Sequence, residues 1–167
     1  EDIFLDVNKA EFINTKEPIY FKEDVKMTYG KSTYLETQEC KWTQKNETIY
    51  FPMSLTLQSG NNFIKGEKAT FDTKNKNVLL EKNIVSFFEL ADFKKNSSND
   101  KEELTKLTSV GPLIYNSSQK SVKLPHATTI KNLDFFLSAD QIEFFLNEDN
   151  KITLLNAEGN VKVKLIK

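Results

Sequence analysis

CKWTQKNETIYFPMSLTL, residues 40–57, decides the fold, because the rest of the chain repeats its pattern. Cys40, a small residue, stands two positions before the aromatic Trp42; a polar turn follows; Ile49 lies seven positions after the aromatic and Leu55 six further on. AEFINTKEPIYFKEDVKM (10–27) has the same order at Ala10, Phe12, Ile19 and Val25, and ATFDTKNKNVLLEKNIVS (69–86) has it at Ala69, Phe71, Val78 and Ile84. LIYNSSQKSVKLPHATTI (113–130) repeats it at Leu113, Tyr115, Val122 and Thr128, and IEFFLNEDNKITLLNAEGNVKV (142–163) is a longer fifth copy built on Phe144. Self-similarity at a fixed period means one supersecondary unit stacked on copies of itself, each hiding its apolar face against the next.

The aromatics fall at 12, 42, 71, 115 and 144, so three intervals are 29 or 30 residues and one is 15 longer. The excess maps to DFKKNSSNDKEELTK, residues 92–106, which is too polar to offset its own ordering entropy. It reads as a surface loop inserted into a regular array, with one helical turn at Lys101–Leu107. Within each unit the period is two: Val25, Met27 and Tyr29 alternate with Lys26 and Thr28, and Val161, Val163 and Leu165 alternate with Lys162 and Lys164. That places apolar side chains on one face of a sheet and lysines on the other. The turns are rich in Asn, which tolerates left-handed backbone. Pro52 should mark an edge, bulge or bend. The expectation is an all-β chain of antiparallel hairpins forming one domain over residues 1–167.

Charge is balanced, with 23 basic and 24 acidic side chains and a pI near 6.0, which disfavours nucleic acid as a partner. The lysines scatter along outward strand positions and fit a solvated face. No apolar run approaches the roughly 20 residues of a membrane-spanning helix. The chain begins at Glu1, so a signal peptide or anchor upstream is compatible with it. Cys40 is alone and takes the slot of Ala10 and Ala69, which makes it a small core residue. Asn-x-Ser/Thr triplets at Asn46, Asn96 and Asn116 are at chance level in so Asn-rich a chain.

Signals for chemistry are poor. His126, the sole histidine, follows Pro125 and reads as a surface residue at a strand end, with no nucleophile or orienting carboxylate implied by the motif. No Cys/His spacing suits a metal and the five glycines are spread singly, so no catalytic residue, metal or cofactor is expected. What remains is the apolar face: Phe12, Ile19, Phe21 and Val25; Trp42, Ile49, Phe51 and Leu55; Phe71, Val78, Leu80 and Ile84; Tyr115 and Val122; Phe144 and Ile152. Two sheets closed over these rows make a β-sandwich core. Two sheets that splay make a greasy groove. Residue pattern alone leaves both open.

The unit LSADQIEFFLNEDNKITLLNAEGNVKVK (137–164) resembles the repeat of the OstA-like family, the periplasmic lipopolysaccharide-transport bridge proteins of the LptA and LptC type. The hallmarks are Ala139-Asp140 ahead of Phe144 and the closing Ala157-Glu158-Gly159-Asn160-Val161. The first unit matches more loosely, with Lys22-Glu23-Asp24-Val25 in place of that ending. The resemblance implies a twisted, open β-jellyroll of two antiparallel sheets, with acyl chains of lipopolysaccharide or a related glycolipid held between them by the sixteen row residues named above. It also implies a periplasmic address, an inner-membrane anchor or transporter complex as neighbour, and end-to-end docking with other β-jellyroll proteins through Ile3–Val7 and Val161–Ile166. A closed sandwich serving as an interaction or structural module is the other reading.

Overall fold

The computed structural model describes residues 3–12, 18–29, 33–90 and 104–166. Most of the expected 92–106 insertion lies outside that description, as does the turn of the first repeat. The strands, in chain order, are β1 (Ile3–Asp6), β2 (Lys9–Phe12), β3 (Ile19–Tyr29), β4 (Thr33–Thr43), β5 (Thr48–Ser59), β6 (Asn62–Asp72), β7 (Asn77–Glu89) and β8 (Leu104–Ser109). They continue with β9 (Leu113–Asn116), β10 (Ser121–Leu124), β11 (Thr128–Lys131), β12 (Phe135–Ala139), β13 (Gln141–Leu146), β14 (Ile152–Glu158) and β15 (Lys162–Leu165). A single 3₁₀ turn, Gln44–Asn46, is the only helical element among the described residues. From Leu104 onward the chain is strand, with Leu107 buried, so the helical turn expected at Lys101–Leu107 is corrected over Leu104–Leu107. Pairing with β7 and β11 on its two sides outweighs the short helical pattern there.

The two expected sheets are the halves of one hydrogen-bonded antiparallel sheet folded along a crease. Five long strands, β3 to β7, cross that crease, and four of their pairings shift register there. β7 shows the consequence directly: its first part, Val78–Leu80, pairs with β9, and its second part, Ile84–Glu89, pairs with β8. One layer therefore ends β7–β9–β10–β13–β14, and the other runs β1–β3–β4–β5–β6–β7–β8–β11–β12–β15. Pro52 sits in the shift between Phe51 and Ser54, the bulge expected of it.

Left-handed backbone makes the crease. Glu23, Asp24, Lys68, Asn83 and Asn160 have φ between 43° and 64°, joined by Gly111 and Gly159. Gly111, at φ +107°, lies so close to the next strand that a β-carbon would collide with the Glu81 carbonyl. Carboxylate–amide pairs then tie successive crossings: the Asn8 and Gln38 amides donate to Asp24, Asn83 to Glu67, and Asn160 to Asp140 at 2.8 Å. The Asp140 N–H also donates to the Gly159 carbonyl. The Ala-Asp and Gly-Asn steps of the last repeat are thus a matched hydrogen-bonding pair at the fold line.

Between the layers lies one apolar core that includes Phe51, Leu80, Leu124, Ile142 and Phe144, all with essentially no exposure. Tyr29 meets Phe71 and Phe88 meets Phe144 edge-on across it, at centroid distances of 5.6 and 4.9 Å.

Candidate functional site

Each layer ends, away from the crease, in a row of hairpin turns, and the two rows face each other as the rims of a trough. One rim carries Tyr29, Thr33, Ser59 and Asn62; the other carries Lys76, Ser117, Leu146 and Asn150. A cavity of about 150 Å³ lies between them, with a wall that is mostly apolar: Met27, Leu35, Leu57, Ile64, Phe71, Val78, Leu80, Phe88, Leu113, Tyr115 and Val122. Burial holds the Tyr115 phenol above its ordinary pKa, so it lines the wall as a neutral group.

Of the sixteen row residues, Phe71, Val78, Leu80, Tyr115 and Val122 line this cavity. Phe21, Val25, Ile49, Phe51, Leu55, Ile84, Phe144 and Ile152 are buried in the surrounding core, while Ile19 and Trp42 pack against it half-exposed. Phe12 belongs to β2, and its side chain lies outside the described ones. The opposite wall, from Met27, Leu35, Leu57, Ile64 and Phe88, escaped the row reading. These residues occupy strand segments beyond the crease: Met27 and Leu57 end their repeat copies, and Leu35, Ile64 and Phe88 lie between copies. The alternation Val25–Met27–Tyr29 was the available signal for them.

Polar side chains fasten the rims around Asn62 and Asn150. The Asn62 amide donates to the Asn150 carbonyl, and the Asn150 amide donates to Ser59 Oγ at 3.1 Å. Glu89, almost fully buried, accepts from the Asn61 amide at 2.6 Å and pairs with Lys151 Nζ at 3.4 Å. Its own N–H donates to Asn62 Oδ1 at 3.0 Å, and Leu90 bridges to Ile152 beside it. Farther along, Lys76 Nζ stands 5.6 Å from the Tyr29 ring on the facing rim. Among the described residues, the trough is unroofed at its C-terminal end. Val163 and Leu165 pair with Leu137 and Phe135, and so face inward, yet remain 59% and 73% exposed.

Cys40 is buried in the core, and burial pushes its thiol up to about 12. His126 is exposed where β10 leads into β11. Among the described residues no three His, Cys, Asp or Glu side chains converge as metal ligands would, and no helix is long and apolar enough to cross a membrane.

The molecule is an open antiparallel β-jellyroll, creased along one side and laced along the other, with an apolar interior. No family model matches the chain, and no curated protein does. Among solved structures it is similar to LptH from Pseudomonas aeruginosa, described as the LptA-homologous periplasmic component of the lipopolysaccharide transport device. That likeness has a TM-score of 0.35 and 12% identity, and it covers 100% of this chain and 95% of that one.

Proposed function

We propose that this protein is a non-enzymatic carrier of lipopolysaccharide or a related glycolipid in the periplasm, with acyl chains between the layers and sugars outside the rims. One observation carries the reading: a single apolar interior runs through the whole jellyroll and reaches solvent along the rims and at the C-terminal end. Burying acyl chains there gains roughly 25 cal/mol per Å² of apolar surface removed from water, enough to hold several chains without covalent chemistry. The cavity of about 150 Å³ is smaller than the roughly 300–1,000 Å³ of ordinary ligand pockets, so loading requires the rims to part. The same small volume favours the second reading, a closed β-sandwich interaction module.

A photoreactive residue at Leu57, on the inner wall, and another at Lys41, on the outer face, separate the two. After incubation with lipopolysaccharide, the carrier crosslinks from Leu57 and not from Lys41, and native mass spectrometry finds a loaded mass. Equal crosslinking at both positions, or no loaded mass with any glycolipid, leaves the closed module standing. The single domain 1–167 with its polar insertion, and membership in an end-to-end bridge of jellyrolls beside an inner-membrane transporter complex or anchor, belong to this proposal. The edges of β1 and β15, unpaired among the described residues, support the bridge.

A further inference from the structure

We infer that the solvent face of the layer ending in β15 is a docking surface for an anionic lipid bilayer. Cross-strand register puts Phe63, Phe87, Lys106, Lys131, Phe136 and Lys164 in one row across six strands. The row faces outward, because Ile64, Phe88, Leu107, Ile130 and Leu137 beside its members point into the core. Lys162 lies one step over, opposite Ser138. The four lysines of β8, β11 and β15 are exposed, and none is in an ion pair among the described residues.

Two features mark this face as built for a partner. Lys106 and Lys131 oppose each other directly, an arrangement of like charges that costs stability, and no carboxylate stands in either row on β8, β11, β12 or β15. Among the described residues of these strands and turns, the carboxylates Asp134 and Asp140 lie at the two ends. Half-buried phenylalanines also occupy positions where solvent-facing alternation calls for polar residues. The other layer's outer face is balanced by comparison: Lys123 sits opposite Glu143 and Lys22 pairs with Glu11 at 2.9 Å.

The partner's chemistry follows from the geometry. A sheet face presents its side chains in one shallow plane, so its complement is broad rather than threaded. Rings at interfacial depth with lysines around them match the boundary between acyl chains and anionic headgroups. The chain's net charge of −1 gives no long-range pull on a polyanion, so attraction is confined to this face. The inference is independent of what the interior holds.

The test is co-sedimentation with phosphatidylcholine vesicles, with and without phosphatidylglycerol, in low and high salt. The protein pellets with the anionic vesicles, and salt weakens it. Lys131→Glu removes the repulsion with Lys106 while turning the patch charge by two, so the unfolding midpoint holds or rises as vesicle binding falls roughly 30-fold. Phe136→Ser lowers binding with an undiminished salt dependence. Equal pelleting with neutral vesicles, no pelleting at all, or unchanged binding by Lys131→Glu overturns the inference. Preferential capture of a single-stranded oligonucleotide also overturns it and assigns the face to nucleic acid.

Discussion

At the residue scale, two positions carry the sharpest expectations. Cys40 occupies an alanine slot in the repeat, and the structure buries it where its thiol is held at about 12. Native protein at pH 8 should therefore resist alkylation and react at the rate of a free thiol only in denaturant; rapid labelling of the native state would contradict this burial. Because the folded pKa is raised from 9.0 to about 12, this group's contribution is fully present below pH 9 and is lost between there and pH 12, so alkaline unfolding should begin in that window. A Cys40→Ala variant, by removing the group, should flatten that limb. Gly111 is the second position. Its φ of +107° and the nearby Glu81 carbonyl leave no room for a side chain, so Gly111→Ala should cost at least about 2 kcal/mol. In a domain of this size that lowers the thermal midpoint by about 4–8 °C.

At the element scale, the hairpins of the first-described layer were legible in the sequence and those of its partner were not. Asn-rich turns and the aromatic-to-aliphatic spacing fix the segments on either side of each turn, so Ile49, Phe71, Val78 and Phe144 were found by pattern and are buried. The crease hid the rest. Glu23, Asp24 and Lys68 adopt left-handed backbone that ordinarily signals Gly or Asn, so each long strand reads as two unrelated runs. The register shifts at those points then carry Met27, Leu35, Leu57 and Ile64 into a second layer with no motif of their own. The rim fastening was illegible for another reason: Ser59 and Asn62 meet Asn150 from 91 and 88 residues away. Replacing Asn62 and Asn150 together with Ala should lower stability by about 1–3 kcal/mol, since Asn62 is buried and its partners would be left unsatisfied. The same pair of changes should raise uptake of an apolar fluorescent dye; unchanged uptake would mean that the rims do not gate the interior.

At the scale of the whole molecule, the free edges matter most. β1 and β15 close the ends of one layer, and β2 and β14 those of the other, each with one side unpaired among the described residues. If copies join end to end, amide exchange at Lys162–Leu165 should slow as protein concentration rises, while the β4–β5 hairpin is unaffected. Exchange independent of concentration would rule out self-pairing at that edge. The lysines at 162 and 164 fit an edge that admits a chosen partner and repels indiscriminate ones.

Because a repeat of this kind supplies a two-stranded hairpin to each layer, duplication of a repeat would extend both walls at once by about 9–10 Å, twice the interstrand spacing. Width is set by the crease and rims, length by copy number. Capacity could therefore be altered in inheritable steps, by gene-level gain or loss of a single unit of about 30 residues, with the cross-section left alone. A chain with one repeat fewer should fold with the same layer separation and enclose a proportionally shorter interior.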